Sequence, residues 1–591
     1  MKKYLTIFVL FLGTLFSYAQ STKPAKKNNK IDTVKTEVIE VVTTYNPEIA
    51  DANKIKQNPT IKLLAKSKKK KLKYTIYSAP VASTFIPKSG VAKSIDVGVK
   101  ERIYNNFLAL GYGNFNSPYV ETYLHNYTRF QSEFGLSAKY TASLDNIENT
   151  KLNSDFSNLN ASIFYKKEER YFDWTITLKG ERNTYNWYGI DEPTFTETAI
   201  GNIDESQTYN YFNLVGDIDF IDAYITNSQL SLAYFTDYYN SAEYKFNLNT
   251  NFDLPLDFLN SSFNNIQIKT GLEYLGGSFE REFTSTIAID YSIFTAKINP
   301  EYNTKFGDFS LKLGFKFFTA FDTENEVNHF LVYPDIQIQK PILKDNLTVY
   351  AGVLGNLNTN TYKDFSSENP FLSPTQFITQ TNEKYNAFLG FNGILNKSLS
   401  YNLSATFKDE EDKALFVKNY SKSNGANNGN NGILFRGYEY GNSFSVVYDD
   451  VQTISLAAEI EYDVSKQLSL STQFQFNHYE STTETEAWNL PNLEASFSAK
   501  YKTNTWYANT NIFFVGERKD ILYSGSSFNI SGAQTLDSFV DVNLNGGYHF
   551  SDKFSAFVKL NNVLNNNYQR FSNFNVQGFQ VLGGLTYKFD F

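Results

Sequence analysis

The stretch Gly578-Phe579-Gln580-Val581-Leu582-Gly583-Gly584-Leu585-Thr586-Tyr587-Lys588-Phe589-Asp590-Phe591 decides the fold. It alternates without error. Phe579, Val581, Gly583, Leu585, Tyr587, Phe589 and Phe591 fall on one face, and Gln580, Leu582, Gly584, Thr586, Lys588 and Asp590 on the other. A period of two is the signature of a strand with one apolar and one mostly polar side. The strand ends the chain on a phenylalanine, with apolar or aromatic residues at every second position before it. With Leu585, Tyr587, Phe589 and Phe591, this ending resembles the signal by which outer-membrane β-barrels are recognised for insertion.

The same period recurs upstream. Leu159, Ala161, Ile163 and Tyr165 share one face, as do Ile266, Ile268, Thr270, Leu272 and Tyr274. Phe309, Leu311, Leu313, Phe315 and Phe317 alternate with Ser310, Lys312, Gly314 and Lys316. Ile454, Leu456, Ala458, Ile460 and Tyr462 alternate with Ser455, Glu459, Glu461 and Asp463. The charges keep to the polar face. A charge facing lipid at mid-membrane costs about 2–4 kcal/mol, which explains the cleanness of the pattern. Mean hydropathy is only -0.39, but barrels escape hydropathy because half of each strand faces a polar lumen. Aromatic residues make up 17% of the chain, which suits girdles at the two membrane interfaces better than a secreted sandwich.

The ends of the strands also alternate. Tight turns are expected at Gly307-Asp308, Lys344-Asp345-Asn346, Asn396-Lys397-Ser398, Ser465-Lys466-Gln467 and Ser551-Asp552-Lys553. Between them lie long connections at 191–206, 360–382, 418–441 and 517–533. Short periplasmic turns and long external loops describe an all-β transmembrane antiparallel barrel of about 22 strands. It spans residues 105–591 and closes with Phe591 in the periplasm. The Asn/Gly-rich segment 423–432 reads as a loose loop tip, and Asp409, Glu410, Glu411 and Asp412 as a solvated acidic loop.

Residues 1–19 read as a signal peptide: Lys2 and Lys3, an apolar stretch from Leu5 to Phe16, then Ser17-Tyr18-Ala19. Residues 20–104 form a basic periplasmic arm with 18 Lys and Arg against 7 Asp and Glu, although the whole chain carries -8. Lys66, Lys68, Lys69, Lys70 and Lys71 are its densest run, expected to dock into an acidic lumen or onto an acidic partner, or to stay solvated. The chain has no cysteine, which excludes disulfides, thiolate metal sites and a lipidated cysteine. The 4 histidines, His125, His329, His478 and His549, do not pair at ligand spacing, and no phosphate loop or catalytic triad occurs. His549 is expected to face the lumen beside Asn543 and Asn545. No catalytic, cofactor-binding or metal residue is assigned, and no nucleic-acid partner.

The closing hairpin carries a resemblance. Val558-Lys559-Leu560-Asn561-Asn562-Val563-Leu564-Asn565-Asn566-Asn567-Tyr568, followed by the last strand with its Tyr587-Lys588-Phe589, resembles the end of TonB-dependent receptor barrels. Val563-Leu564 stands where that family has Leu-Phe. The resemblance implies a 22-strand outer-membrane barrel. Residues 36–45, with Glu37, Val38, Ile39, Glu40, Val41, Val42 and Thr43, resemble the segment that these receptors offer to TonB, where strand addition supplies affinity. The family also has a plug domain before the barrel. The arm here is shorter and lacks the plug's arginine-glycine signature, so the basic arm, inward-folded loops or a partner must fill the lumen.

Three functions follow. The leading expectation is a non-enzymatic subunit of a larger outer-membrane assembly for secretion or membrane-protein biogenesis. It would contact other outer-membrane or periplasmic proteins. The alternative is a TonB-linked or passive transporter or channel for a nutrient or ion. The third is a surface adhesin presenting its loops. All three share the lipid bilayer of the outer membrane and, during insertion, the barrel assembly machinery.

Overall fold

The computed structural model describes residues 103–591, apart from 129–130, 149, 258–263, 345, 397, 431 and 526–527. The segments Glu37–Thr43 and Lys66–Lys71 lie outside the described residues, as do the signal-peptide and arm assignments before residue 103. Asp345 and Lys397, named in two of the expected turns, lie outside them too.

Twenty-two strands form one sheet. Each barrel strand pairs antiparallel with the next along the chain, as in Phe444–Asp463 with Leu468–Ser481. The ring closes where Asn106–Gly113 pairs with Gln580–Phe589, in a register that sets Leu110 opposite Leu585. The Asn105 amide donates to the Asp590 carboxylate at 2.8 Å beside this seam. Closure leaves no sheet edge, which a lipid-embedded backbone requires because hydrocarbon offers no hydrogen-bond partner.

The expected faces are the observed ones. Leu585, Tyr587 and Phe591 are exposed on the outer surface, in line with Leu159, Ile163, Leu272, Leu313, Phe315, Leu456 and Ile460. Phe589 sits between its neighbours, 5.7 Å from Tyr587 and 5.5 Å from Phe591 between ring centroids. Exposed aromatics gather at both ends of the strands. Trp506, Phe550 and Phe591 mark the periplasmic end, and Tyr112, Tyr244 and Phe330 the other. Among the described residues no helix is long and apolar enough to cross a membrane.

Two neighbouring strands, Leu399–Lys418 and Phe444–Asp463, have 20 residues each. A barrel strand needs only about 9–11 residues to cross the bilayer. The surplus stands beyond the membrane as a raised external wall. It absorbs the stretch Asp409–Asp412, which is strand and not loop. The register shifts between Glu410 and Lys413, and this bulge accommodates the four consecutive acids while Lys413 pairs with Glu410.

The short turns fall where expected, for instance between Phe306 and Phe309. Long connections occupy the other end. To the four anticipated must be added 562–579, which lies between Phe554–Asn561 and the last strand.

Candidate functional site: the external lid and the lumen beneath it

Segment 360–379 folds inward from the rim. Thr361 caps a short helix, Tyr362–Glu368, its hydroxyl accepting from the Asp364 amide at 2.9 Å. The next free amides of that first turn find a partner on the barrel wall. The Glu243 carboxylate accepts from the Tyr362 amide at 2.7 Å and the Lys363 amide at 3.2 Å, and also from the Tyr291 hydroxyl at 2.9 Å. The Tyr362 hydroxyl donates to Asp237 at 2.9 Å, and Asp237 accepts two further bonds from the Tyr239 and Ser241 amides. Burial pushes the Asp237 carboxyl up to about 6 despite these donors. Further along, the Tyr209 hydroxyl donates to the Pro370 carbonyl at 3.0 Å.

The other side of the segment is tied to the raised wall. The Ser373 amide donates to the Phe444 carbonyl at 2.8 Å, and the Val446 amide donates to the Gln376 side chain at 2.8 Å. Between these ties runs a single apolar core. Tyr209, Phe235, Leu275, Phe279 and Tyr291 supply one flank, Tyr362, Phe365, Leu372 and Ile378 the middle, and Phe416, Phe444 and Val446 the other flank. Phe571 and Phe574 from 562–579 complete it, with Phe574 stacked on Phe371 at 3.7 Å.

Three more connections pack over this core. From 187–205, the buried Trp187 accepts through its carbonyl from Asn442, and Tyr188 donates to the Asn575 carbonyl. From 516–538, Arg518 donates to the Gln569 and Arg570 carbonyls. Asp520 there accepts from the Lys418 amide at 3.0 Å, and burial raises its carboxyl to about 6. The first residues of the segment 423–432 are anchored, while Asn430 and Gly432 are exposed. Ser423 is buried, and the Gly425 carbonyl accepts from the Thr196 amide at 2.8 Å. Gly425 has φ +88, and a Cβ there would collide with the Thr194 carbonyl, so only glycine fits this contact.

A row of aromatic rings runs outward from the interior of the lid. The buried Tyr438 meets Tyr239 at 5.1 Å and Phe283 at 6.4 Å, Phe283 meets Tyr420 at 5.4 Å, and Tyr420 meets Phe528 at 5.7 Å. Lys422 lies 4.6 Å over the Phe283 ring, and Glu439 bridges Lys422 and Arg281. Phe528 is 67% exposed, so the row ends in solvent.

Beneath the lid the lumen is polar but not uniformly acidic as expected. On adjoining strands Lys269 pairs with Glu301 at 2.8 Å, Lys312 with Asp335 at 3.0 Å and Lys245 with Glu273 at 3.5 Å. Most of the negative excess sits outside. The external connections hold 21 Asp and Glu against 8 Lys and Arg. His549 does face the lumen, its ring 5.8 Å from Tyr507, on the side of the strand that Asn545 shares. Among the described residues no group of three or more His, Asp or Glu is placed to hold a metal ion.

Of the residues assigned from sequence, only Leu585, Tyr587, Phe589 and Phe591 fall within the described chain, on the lipid face and away from the lid. Sequence reasoning missed Asp237, Glu243, Tyr362, Phe571 and Phe574. One signal was present: Thr361-Tyr362-Lys363-Asp364 has the spacing of a helix N-cap.

No family model matches the chain, and no curated protein matches its sequence. Solved structures do match its fold. The FrpB iron transporter from Neisseria meningitidis aligns with a TM-score of 0.60 at 10% identity, covering 83% of this chain and 82% of that one. The siderophore receptor PirA from Acinetobacter baumannii gives 0.59 at 12% identity, over 82% and 80%. FpvA of P. aeruginosa, solved with heterologous pyoverdines, gives 0.60 at 11%, over 82% and 72%. At such identities the likeness is one of fold. It bears out the 22-strand barrel fold that the closing hairpin had implied.

Proposed function

We propose that this chain is a non-enzymatic uptake barrel of the outer membrane. It captures a small extracellular nutrient on its external loops and passes it through the lumen. The observation that carries the reading is the arrangement of a 22-strand polar lumen under a lid whose outer surface presents Phe283, Tyr420 and Phe528 beside Lys422. Aromatic faces with a few convergent polar groups suit a compact organic ligand. Ferric siderophores are the first class to test, because the fold neighbours include an iron transporter and a siderophore receptor. In this reading residues 36–45 are the periplasmic contact for TonB.

This order reverses the sequence-based one. The assembly-subunit expectation rested on the missing plug and a docking arm, whereas the fold likeness runs to importers. The lid also gives the mouth a covering that needs no partner.

The test is growth of a deletion strain in iron-chelated medium on individual ferric siderophores, with ligand binding to the purified protein. Loss of growth on one complex supports import if the wild-type chain restores it and the Phe283→Ala/Tyr420→Ala variant does not. Unchanged growth and uptake on every complex and nutrient tried, with the protein recovered in a stoichiometric envelope complex, would return the assembly reading to first place.

A further inference from the structure

We infer that the barrel carries its own gate at the external mouth: segment 360–379 is a strap that spans the lumen, latched to the wall through Glu243 and Asp237. The inference does not depend on which solute is carried.

The first argument is where the core goes. Its members outside the strap come from the sixth, seventh, ninth and tenth barrel strands (Ser206–Phe220, Ile225–Thr236, Ile266–Phe279 and Ile289–Phe306), from the fifteenth and sixteenth (Leu399–Lys418 and Phe444–Asp463), and from the connection 562–579 before the last strand. In a closed ring these three sectors lie roughly a third of the circumference apart. A core that touches all three has crossed the opening. Tyr362, Leu372 and Ile378 of the strap are at most 1% exposed, so the crossing is packed and not a loose drape.

The second argument is how the strap is attached. Thr359 and Gln380, the residues that flank it, are paired across adjacent strands. The strap is therefore a closed loop with its feet side by side, and it swings without stretching the wall. Its ties to Glu243, Asp237 and Tyr209 all run between one side chain and the strap. None of them belongs to the ladder that closes the barrel. Releasing them leaves every inter-strand hydrogen bond of the wall in place, so the open state keeps the barrel's fold. The far tie is different: Leu372 bridges Phe444 in parallel, and Ser373 and Gln376 bond to the same strand. The strap thus has a side-chain latch on one flank and a backbone-paired edge on the other, and the latch flank is the one that opens.

The experiment is planar-bilayer conductance of the full chain and three variants. In the first, residues 362–378 are replaced by a short Gly-Ser linker. In the second, Glu243→Gln is combined with Tyr362→Phe to weaken the latch. The third adds Ser373→Cys/Ser445→Cys to the second. The two hydroxyl oxygens lie 3.4 Å apart and the chain has no native cysteine, so one disulfide forms without competitors. The expected results are long closures in the wild type and frequent openings in the unlatched variant. The linker variant should conduct steadily. Oxidising the cysteine pair, which fixes the backbone-paired edge, should leave the latch-flank openings unchanged in the second variant's background. Folding of each barrel is checked by its heat-modifiable gel mobility. Folded linker-variant barrels conducting no more than wild type would overturn the proposal, as would a wild type already conducting at the linker level. If the linker variant does not fold, the unlatched variant decides: openings no more frequent than wild type overturn the gate. Openings abolished by oxidation and restored by a reducing agent overturn the assignment of the latch flank.

Discussion

Asp237 and Asp520 are buried carboxylates that hold the lid to its surroundings, and both titrate near 6 because burial disfavours the charged form. Their folded values lie above the ordinary carboxylate value. The stability they contribute is therefore fully present below that ordinary value and lost as pH rises through about 6. Lid stability should rise on acidification from about pH 7.5 to about pH 5. Trp187 is fully buried within the lid and gives the readout. The urea midpoint of its fluorescence transition should increase across that interval, and Asp520→Asn should flatten the dependence. A midpoint that falls with acid would remove both carboxylates from the account. Gly425 supports a second expectation. Gly425→Ala forces an L-residue to φ +88 against the Thr194 carbonyl. The cost is about 1–3 kcal/mol of local strain. Hydrogen exchange at the Thr196 amide, which Gly425 now protects, should accelerate while the barrel amides stay unchanged.

At the level of elements, the two faces of a strand are energetically unlike. Leu456 faces lipid and Ser455 faces the lumen, where its hydroxyl bonds Asn477 at 2.7 Å. Leu456→Arg should destabilise the barrel by about 2–4 kcal/mol, and Ser455→Arg by much less. Denaturant unfolding in detergent measures both, and equal losses would contradict the facing. Removing Phe591 should lower the amount of protein reaching the outer membrane without changing the stability of what does insert, if the terminal strand is the insertion signal. The strands were legible because alternation is local: each residue's face follows from its neighbours two positions away. The lid was not legible for the opposite reason. Phe571 and Phe574 stand in an Asn-rich stretch with no period, and their partners Phe371 and Phe444 are far away in sequence. Only the cap before Tyr362 left a local trace. The acids at Asp409–Asp412 misled because a bulge, which sequence does not announce, lets a strand carry them.

For the whole molecule, charge is arranged along the barrel axis. The lumen pairs Lys245, Lys269 and Lys312 with acids, whereas the external connections hold 21 acidic against 8 basic residues. A barrel with its strap replaced should therefore pass cations more readily than anions. The preference should fade as salt rises, since the screening length is about 10 Å at 0.1 M and about 3 Å at 1 M. Reversal potentials in a salt gradient measure it, and anion preference would show that the lysines beneath the lid govern permeation instead.

The seam between the first strand and the last has a consequence for biogenesis. Asn105 and Asp590 are 485 positions apart, yet their contact lies beside the ladder that closes the ring. Every other pairing joins barrel strands consecutive along the chain, so hairpins add one after another while the first strand waits for a partner delivered last. It is already paired with Ser117–Thr128 on one side, but until then the amides and carbonyls of its open edge have nothing to bond in a hydrocarbon setting. A chain truncated before Gln580 would stay permanently in that condition and invite pairing with a foreign strand. Until closure a growing sheet has two open edges, the first strand and whichever strand was added last, and a single event removes both: the arrival of Gln580–Phe589 beside Asn106–Gly113.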